Sequence, residues 1–188
     1  MIAALLSSAA TKRAAWSACL AAVMLISAIA ASGAASITIV ALGTSNTRGR
    51  GLSAPEAYPA QLQAMLRAKG HDVQVINMGV NGDTSAGMLA RLNSVPSGTR
   101  LVLLEVWPNN EARRGITNTT DNVAAIHTRL AARNIKVIDV YSIFQGEHAA
   151  AGAAGNLIAT PAGPHLNAVA YGHAAAQIVP QVEAAIGR

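Results

Sequence analysis

The chain alternates between two kinds of segment, and this alternation restricts its fold more than any other feature. "ITIVALG" (37–43), "DVQVINMGV" (72–80), "RLVLLEVW" (100–107) and "IKVIDVYSIF" (135–144) are short, apolar and rich in β-branched residues. Runs of this kind read as strands buried on both faces. Between them lie stretches with helical spacing. In "EAYPAQLQAMLRAKG" (56–70), Tyr58, Leu62, Met65 and Leu66 fall near one face, and Gly70 stands where a C-cap belongs. "SAGMLARLNSV" (85–95) predicts a short helix. "TTDNVAAIHTRLAARN" (119–134) predicts a longer one, with Thr120 or Asp121 as its N-cap. "NAVAYGHAAAQIVPQVEAAIG" (167–187) predicts a closing helix that Pro180 kinks or divides.

Repeated strand–helix units call for an α/β fold, a parallel sheet covered by helices on both faces in a three-layer α/β/α sandwich. Ligands of such sheets sit beyond the carboxyl ends of the strands. Four segments occupy those ends: "GTSNTRG" (43–49), "GVNGDTSAG" (79–87), "WPNNEARRG" (107–115) and "TPAGPHLN" (160–167).

Residues 1–35 read differently. Lys12 and Arg13 precede the apolar "AAWSACLAAVMLISAIA", and the small residues of "ASGAAS" come directly after it. That is the layout of a signal peptide cleaved near Ala30 to Ala35, the alternative being a retained anchor. Residues 36–188 then form a single domain, long enough to bury a core of its own. The one cysteine, Cys19, falls in the leader, so the domain needs no oxidative folding, which suits a bacterial periplasm or the medium. The net charge of +5 comes without a basic cluster interleaved with aromatics, which argues against nucleic acid as a partner. The histidines lack metal-ligand spacing, so neither a metal nor an organic cofactor is implied.

Together the four segments resemble the SGNH hydrolases, also called the GDSL esterases and lipases, and within them the bacterial thioesterase I, lysophospholipase and arylesterase branch. The likeness runs from about Ile37 to the C-terminus. The family's first block, G-D-S-L-T-x-G-x-G, is met by Gly43-Thr44-Ser45-Asn46-Thr47-Arg48-Gly49-Arg50-Gly51. The resemblance implies a mostly parallel, flavodoxin-like sheet of about five strands. It implies that Ser45 is a nucleophile whose backbone N–H also serves an oxyanion hole. At a strand-to-helix turn a serine hydroxyl is exposed and fixed, and the helix N-terminus favours developing negative charge. Gly79 matches the family's oxyanion glycine, and Ser85 reads as helix-start chemistry rather than a rival nucleophile. The asparagine donor of the third block is Asn109 when counted forward from the strand. It is Asn110 when counted back from "EARRG", and that count is preferred. His165 matches the general base, continuing into "HLNAVAYG" as in the family. His127, His148 and His173 read as surface or helix residues.

Two positions depart from the pattern. Thr44 stands where the family has aspartate, and Ala162 occupies the aspartate position of D-x-x-H. Alanine neither fixes the imidazole tautomer nor stabilises the imidazolium. Three outcomes are open: a Ser45–His165 dyad held by a backbone carbonyl or water, a carboxylate from elsewhere (Asp139, Glu147 or Asp83), or a weak or dead catalyst. The function expected is an exported serine hydrolase acting on the acyl groups of small-molecule carboxylic esters or thioesters. The alternative is a non-catalytic binder of acyl or glycan ligands. A carbohydrate O-deacetylase is a further possibility within the enzyme class, with specificity set by residues 107–118 and 145–164.

Overall fold

The computed structural model describes residues 36–187. The expected leader at 1–35, with Cys19, lies outside the described residues. Four strands form the main sheet: β1 (Ile37–Gly43), β2 (Val73–Gly79), β3 (Thr99–Leu104) and β4 (Lys136–Asp139). They run parallel in the order β2-β1-β3-β4. The chain steps outward from β1 to β2, then crosses back to lay β3 on the other edge of β1. The carboxyl ends of β1 and β3 therefore flank a topological switch point, where a crevice opens.

The pleat divides the core in two. Ile39, Ala41, Leu101 and Leu103 face one side; Val40, Leu42, Val102 and Leu104 face the other. On the first side pack α2 (Tyr58–Ala68), α6 (Tyr141–Ala154) and α7 (Ala168–Ile186), through Leu62, Leu66, Phe144 and Tyr171 among others. On the second pack α3 (Ser85–Ala90) and α5 (Thr119–Ala131), through Met88, Ile126 and Leu130. Residues 39–42 of β1 are wholly buried, and each large aliphatic among them contributes on the order of 1.5–3 kcal/mol. A charge introduced there would split both layers at once.

The three layers and the parallel sheet match expectation; the count of about five strands does not. "IKVIDVYSIF" leaves the sheet after Asp139, and Tyr141 opens α6. Phe144, Glu147 and Ala151, spaced three and four apart, form the buried face of that helix, and this local pattern outweighs the β-propensity of the aromatic and branched residues at its start. Beyond α6 lies a separate ribbon, β5 (Leu157–Ile158) antiparallel to β6 (His165–Leu166). Neither Thr120 nor Asp121 caps α5, which is preceded by Asn118. Helix α7 runs through Pro180 without a break; Ala174, Ala175, Ile178, Val179 and Val182 bury its face on both sides of the proline. Among the described residues, no helix is long and apolar enough to cross a membrane.

Candidate active site

β1 is flanked on both sides, and its last residue delivers the chain to the crevice. Thr44 turns it, and α1 (Ser45–Arg48) begins at once. Ser45 is the first helical residue, so its N–H has no acceptor within the helix. The turn is tied from below by Glu105, the residue after β3. The Glu105 N–H donates to Leu42 O at 2.9 Å, which brings its side chain under the turn. The carboxylate accepts from Thr44 N (2.8 Å), from Thr44 Oγ1 (2.8 Å to the nearer oxygen) and from Thr47 Oγ1 (3.1 Å). Glu105 is fully buried. Burial pushes its carboxyl above the usual range, opposed by the hydrogen bonds from Thr44 and Thr47. Thr44 thus anchors the turn as a donor to Glu105. The signal for Glu105 in the sequence was a lone acid ending an aliphatic run.

His165 sits in β6, buried. Its Nε2 lies 2.9 Å from Ser45 Oγ. Its Nδ1 lies 3.0 Å from Gly163 O and 3.1 Å from Thr160 Oγ1. The Thr160 hydroxyl itself donates to Gly163 O at 2.7 Å and accepts from Ala162 N at 3.3 Å. A carbonyl can only accept, so Nδ1 carries the proton and the Nε2 lone pair faces the serine hydroxyl. Burial lowers the imidazole pKa, the Gly163 hydrogen bond opposes this, and the Arg50 and Arg113 guanidinium groups lower it further.

No candidate carboxylate is hydrogen-bonded to this imidazole. Asp139 pairs with His127 at 3.1 Å, Asp83 with Arg91 at 2.7 Å, and Glu147 accepts from Gln177 at 2.5 Å and lies 3.7 Å from His173. Of the ways of holding the imidazole left open by Ala162, the geometry has the backbone carbonyl. Thr160, unremarked in the sequence, completes it.

The oxyanion candidates separate. The N–H of Gly79 donates to Asn77 Oδ1 at 2.9 Å, and Gly79 does not line the pocket. A Cβ there would run into the backbone of Thr47 and Arg48, so Gly79 is a glycine because α1 presses against the end of β2. Gly82 lines the pocket beside Ser45 instead, in the left-handed conformation at φ 72° that disfavours any other residue. Gly79, expected at the oxyanion hole, has its amide spent on Asn77, whereas Gly82 is the glycine that lines the pocket. Asn110, in α4 (Pro108–Arg113), is buried, and its Nδ2 donates to Asp83 O at 3.1 Å, next to Gly82. Its second amide hydrogen remains for a ligand. Asn109 lines the same pocket but is exposed. Ser85 donates its hydroxyl to Glu111 at 2.7 Å, fully buried, and is no rival nucleophile.

The pocket encloses about 750 Å³. His148, expected as a surface or helix residue, lies on α6 and lines the pocket: Nε2 lies 3.0 Å from the buried Asn46 Oδ1, and the ring is 5.0 Å from that of Trp107. Burial and the neighbouring His165 lower its pKa. His127 pairs with the exposed Asp139, His173 lies 3.7 Å from the buried Glu147, and neither histidine lines the pocket.

Residues 41–185 match the model of the GDSL-like Lipase/Acylhydrolase family. Over 126 residues the chain is 33% identical to esterase TesA of Pseudomonas aeruginosa, an alignment covering 65% of this chain and 60% of that protein. The crystal structure of AlinE4, an SGNH-hydrolase family esterase, superposes with a TM-score of 0.51 at 36% identity, covering 56% of this chain and 59% of AlinE4. A crystal structure of TesA superposes with a TM-score of 0.61 at 22% identity over 78% of this chain and 98% of that one, a likeness of fold. The matched part therefore spans about 60% of the length of the curated relative.

Proposed function

This chain belongs to the GDSL-like lipase/acylhydrolase family, and from that premise we propose that it is a serine esterase working through a Ser45–His165 dyad. The observation that carries the reading is the chain of contacts Ser45 Oγ to His165 Nε2 at 2.9 Å and His165 Nδ1 to Gly163 O at 3.0 Å.

The chemistry rests on those atoms. Ser45 Oγ attacks the acyl carbonyl while its proton passes to Nε2. The oxygen that becomes negative is met by the N–H groups of Ser45 and Gly82 and by Asn110 Nδ2. The imidazolium returns its proton to the departing alcohol or thiol, leaving an acyl-enzyme. Water attacks this ester, now with Nε2 as base, and the acid is released. An aspartate would do two things for the imidazole, holding its tautomer and balancing its charge. Gly163 O does the first, because an acceptor-only group admits one tautomer. It does the second only as a dipole, helped by Thr160, so turnover should be slower than with a full triad.

Small-molecule carboxylic esters and thioesters are the proposed substrates. Export to the periplasm or medium belongs to the same proposal, on the pattern of residues 1–35 alone; the mass of the protein's N-terminal peptide from a periplasmic extract tests it. The test of the chemistry is hydrolysis of 4-nitrophenyl acetate or butyrate, with labelling by a fluorophosphonate probe. Ser45→Ala should abolish both, a loss of at least about 10³-fold. Equal rates for the two proteins would sink the nucleophile assignment. A non-catalytic acyl binder is the second reading, favoured by the lack of a carboxylate on Nδ1. Folded wild type that takes no label supports it.

A further inference from the structure

The crevice around Ser45 and His165 carries cationic side chains without acids to balance them. Arg50, Arg113 and Arg114 line it together with His148, and no aspartate or glutamate does. Among the described residues, none of the three arginines forms an ion pair with a carboxylate. The nearby acids are turned to other partners: Asp83 to Arg91, Glu111 to Ser85 and Thr119, Glu147 to Gln177. Guanidinium groups that share a concavity repel one another. In a purely structural role they would be expected to sit against acids.

Two of these residues adjoin the machinery itself. The backbone N–H of Arg50 donates to Ser45 O at 3.0 Å, which places its side chain beside the nucleophile turn. Arg113 Nε donates to Asn109 O at 3.1 Å and its Nη2 to Asn110 Oδ1 at 3.2 Å, which fixes the side chain at the rim with donors to spare. The charges of both reach His165, where they add to the effect of burial. His165 is the group that hands a proton to the leaving group, so whatever surrounds it faces that half of the substrate.

We propose that Arg50 and Arg113 form an anion subsite, and that the pocket takes esters whose leaving-group side carries a carboxylate or a phosphate. Planar guanidinium groups match both anions in bidentate fashion. A cationic cleft also gathers anionic substrate from solution, an effect that salt weakens. This inference rests on the esterase reading for its orientation, not for the existence of the subsite.

Three esters of one shape test it: 4-acetoxybenzoate, 4-acetoxyphenyl phosphate and the neutral 4-acetoxybenzamide. Affinity is read first by calorimetry on Ser45→Ala, which cannot turn them over. At least one anion should bind about tenfold tighter than the amide in low salt, and the preference should shrink in about 0.5 M salt. The anion preferred says whether carboxylate or phosphate is the natural group. In wild type, the ratio of kcat/KM for the anionic over the neutral ester should fall about tenfold in Arg50→Gln and in Arg113→Gln, and Arg50→Lys should restore part of it. Equal binding of all three ligands overturns the subsite. An undiminished ratio in both glutamine variants overturns its assignment to these arginines. A wild type that hydrolyses none of the esters, while Ser45→Ala still prefers the anions, sinks the esterase reading and leaves the subsite standing.

Discussion

His165 Nδ1 is held by the carbonyl oxygen of Gly163, 3.0 Å away and two residues earlier in the chain. The partner of the imidazole is thus built into the same loop as the imidazole, and Thr160 bonds to both ends of the contact. A backbone carbonyl needs no side chain at Ala162, which stays exposed.

Thr160 is accordingly a positioning residue. Thr160→Val should lower kcat about fivefold with KM little changed, the worth of one modest hydrogen bond, and Thr160→Ser should recover most of the loss. Steady-state kinetics on a 4-nitrophenyl ester decide it. A proportional rise in KM instead would point to a change in the pocket wall.

The pH profile is set by the direction of the His165 shift. A base must be neutral to act, and burial, Arg50 and Arg113 hold this imidazole below the ordinary histidine value of about 6.5. The acid limb of kcat/KM should therefore lie below about pH 6.5, with activity retained as pH falls through that value. Replacing Arg50 by glutamine removes a positive charge, so the limb should move to higher pH. A limb at or above about 6.5 in wild type would contradict the assignment.

The two asparagines should part company. Asn110→Ala should cost about 10²–10³ in kcat, as the loss of an oxyanion donor does in other hydrolases, while Asn109→Ala should change kcat less than about threefold, since its exposed side chain is not built into the turn. Reversal of that order would move the donor to Asn109.

Glu105 ties β3 to the nucleophile turn without touching substrate. Glu105→Ala should leave the Thr44 and Thr47 donors buried and unpaired, at a cost of about 2–4 kcal/mol in urea denaturation. Turnover should fall with it, because Ser45 loses its footing. Unchanged stability would show that water replaces the carboxylate.

Local pattern carried much of the molecule. The β1, β2 and β3 strands and the α2 and α7 helices were legible because their apolar spacing and their burial agree. The β4 strand was legible too, but not its end at Asp139 or the helix after it, because Tyr141, Ile143 and Phe144 suit either state, and only packing of Phe144 and Ala151 against the core favours the helix. Ser45 and His165 were legible because each lies in a motif of its own, though they are 120 residues apart. Gly82 was hidden behind Gly79, two glycines three residues apart with nothing local to say which of them lines the crevice.

Residue pattern alone set the alternation of strand and helix and marked out Ser45 and His165, which the fold brings to 2.9 Å. It settles these because side-chain period and turn chemistry are local properties of the chain. Tertiary structure decided what no local rule reaches: that Glu105 underlies the turn, that His148 lines the pocket, that three arginines converge there without acids, and that a carbonyl stands in for the absent aspartate. Each depends on which strand ends the parallel sheet brings together and on where backbone atoms point, and neither is written in residue type.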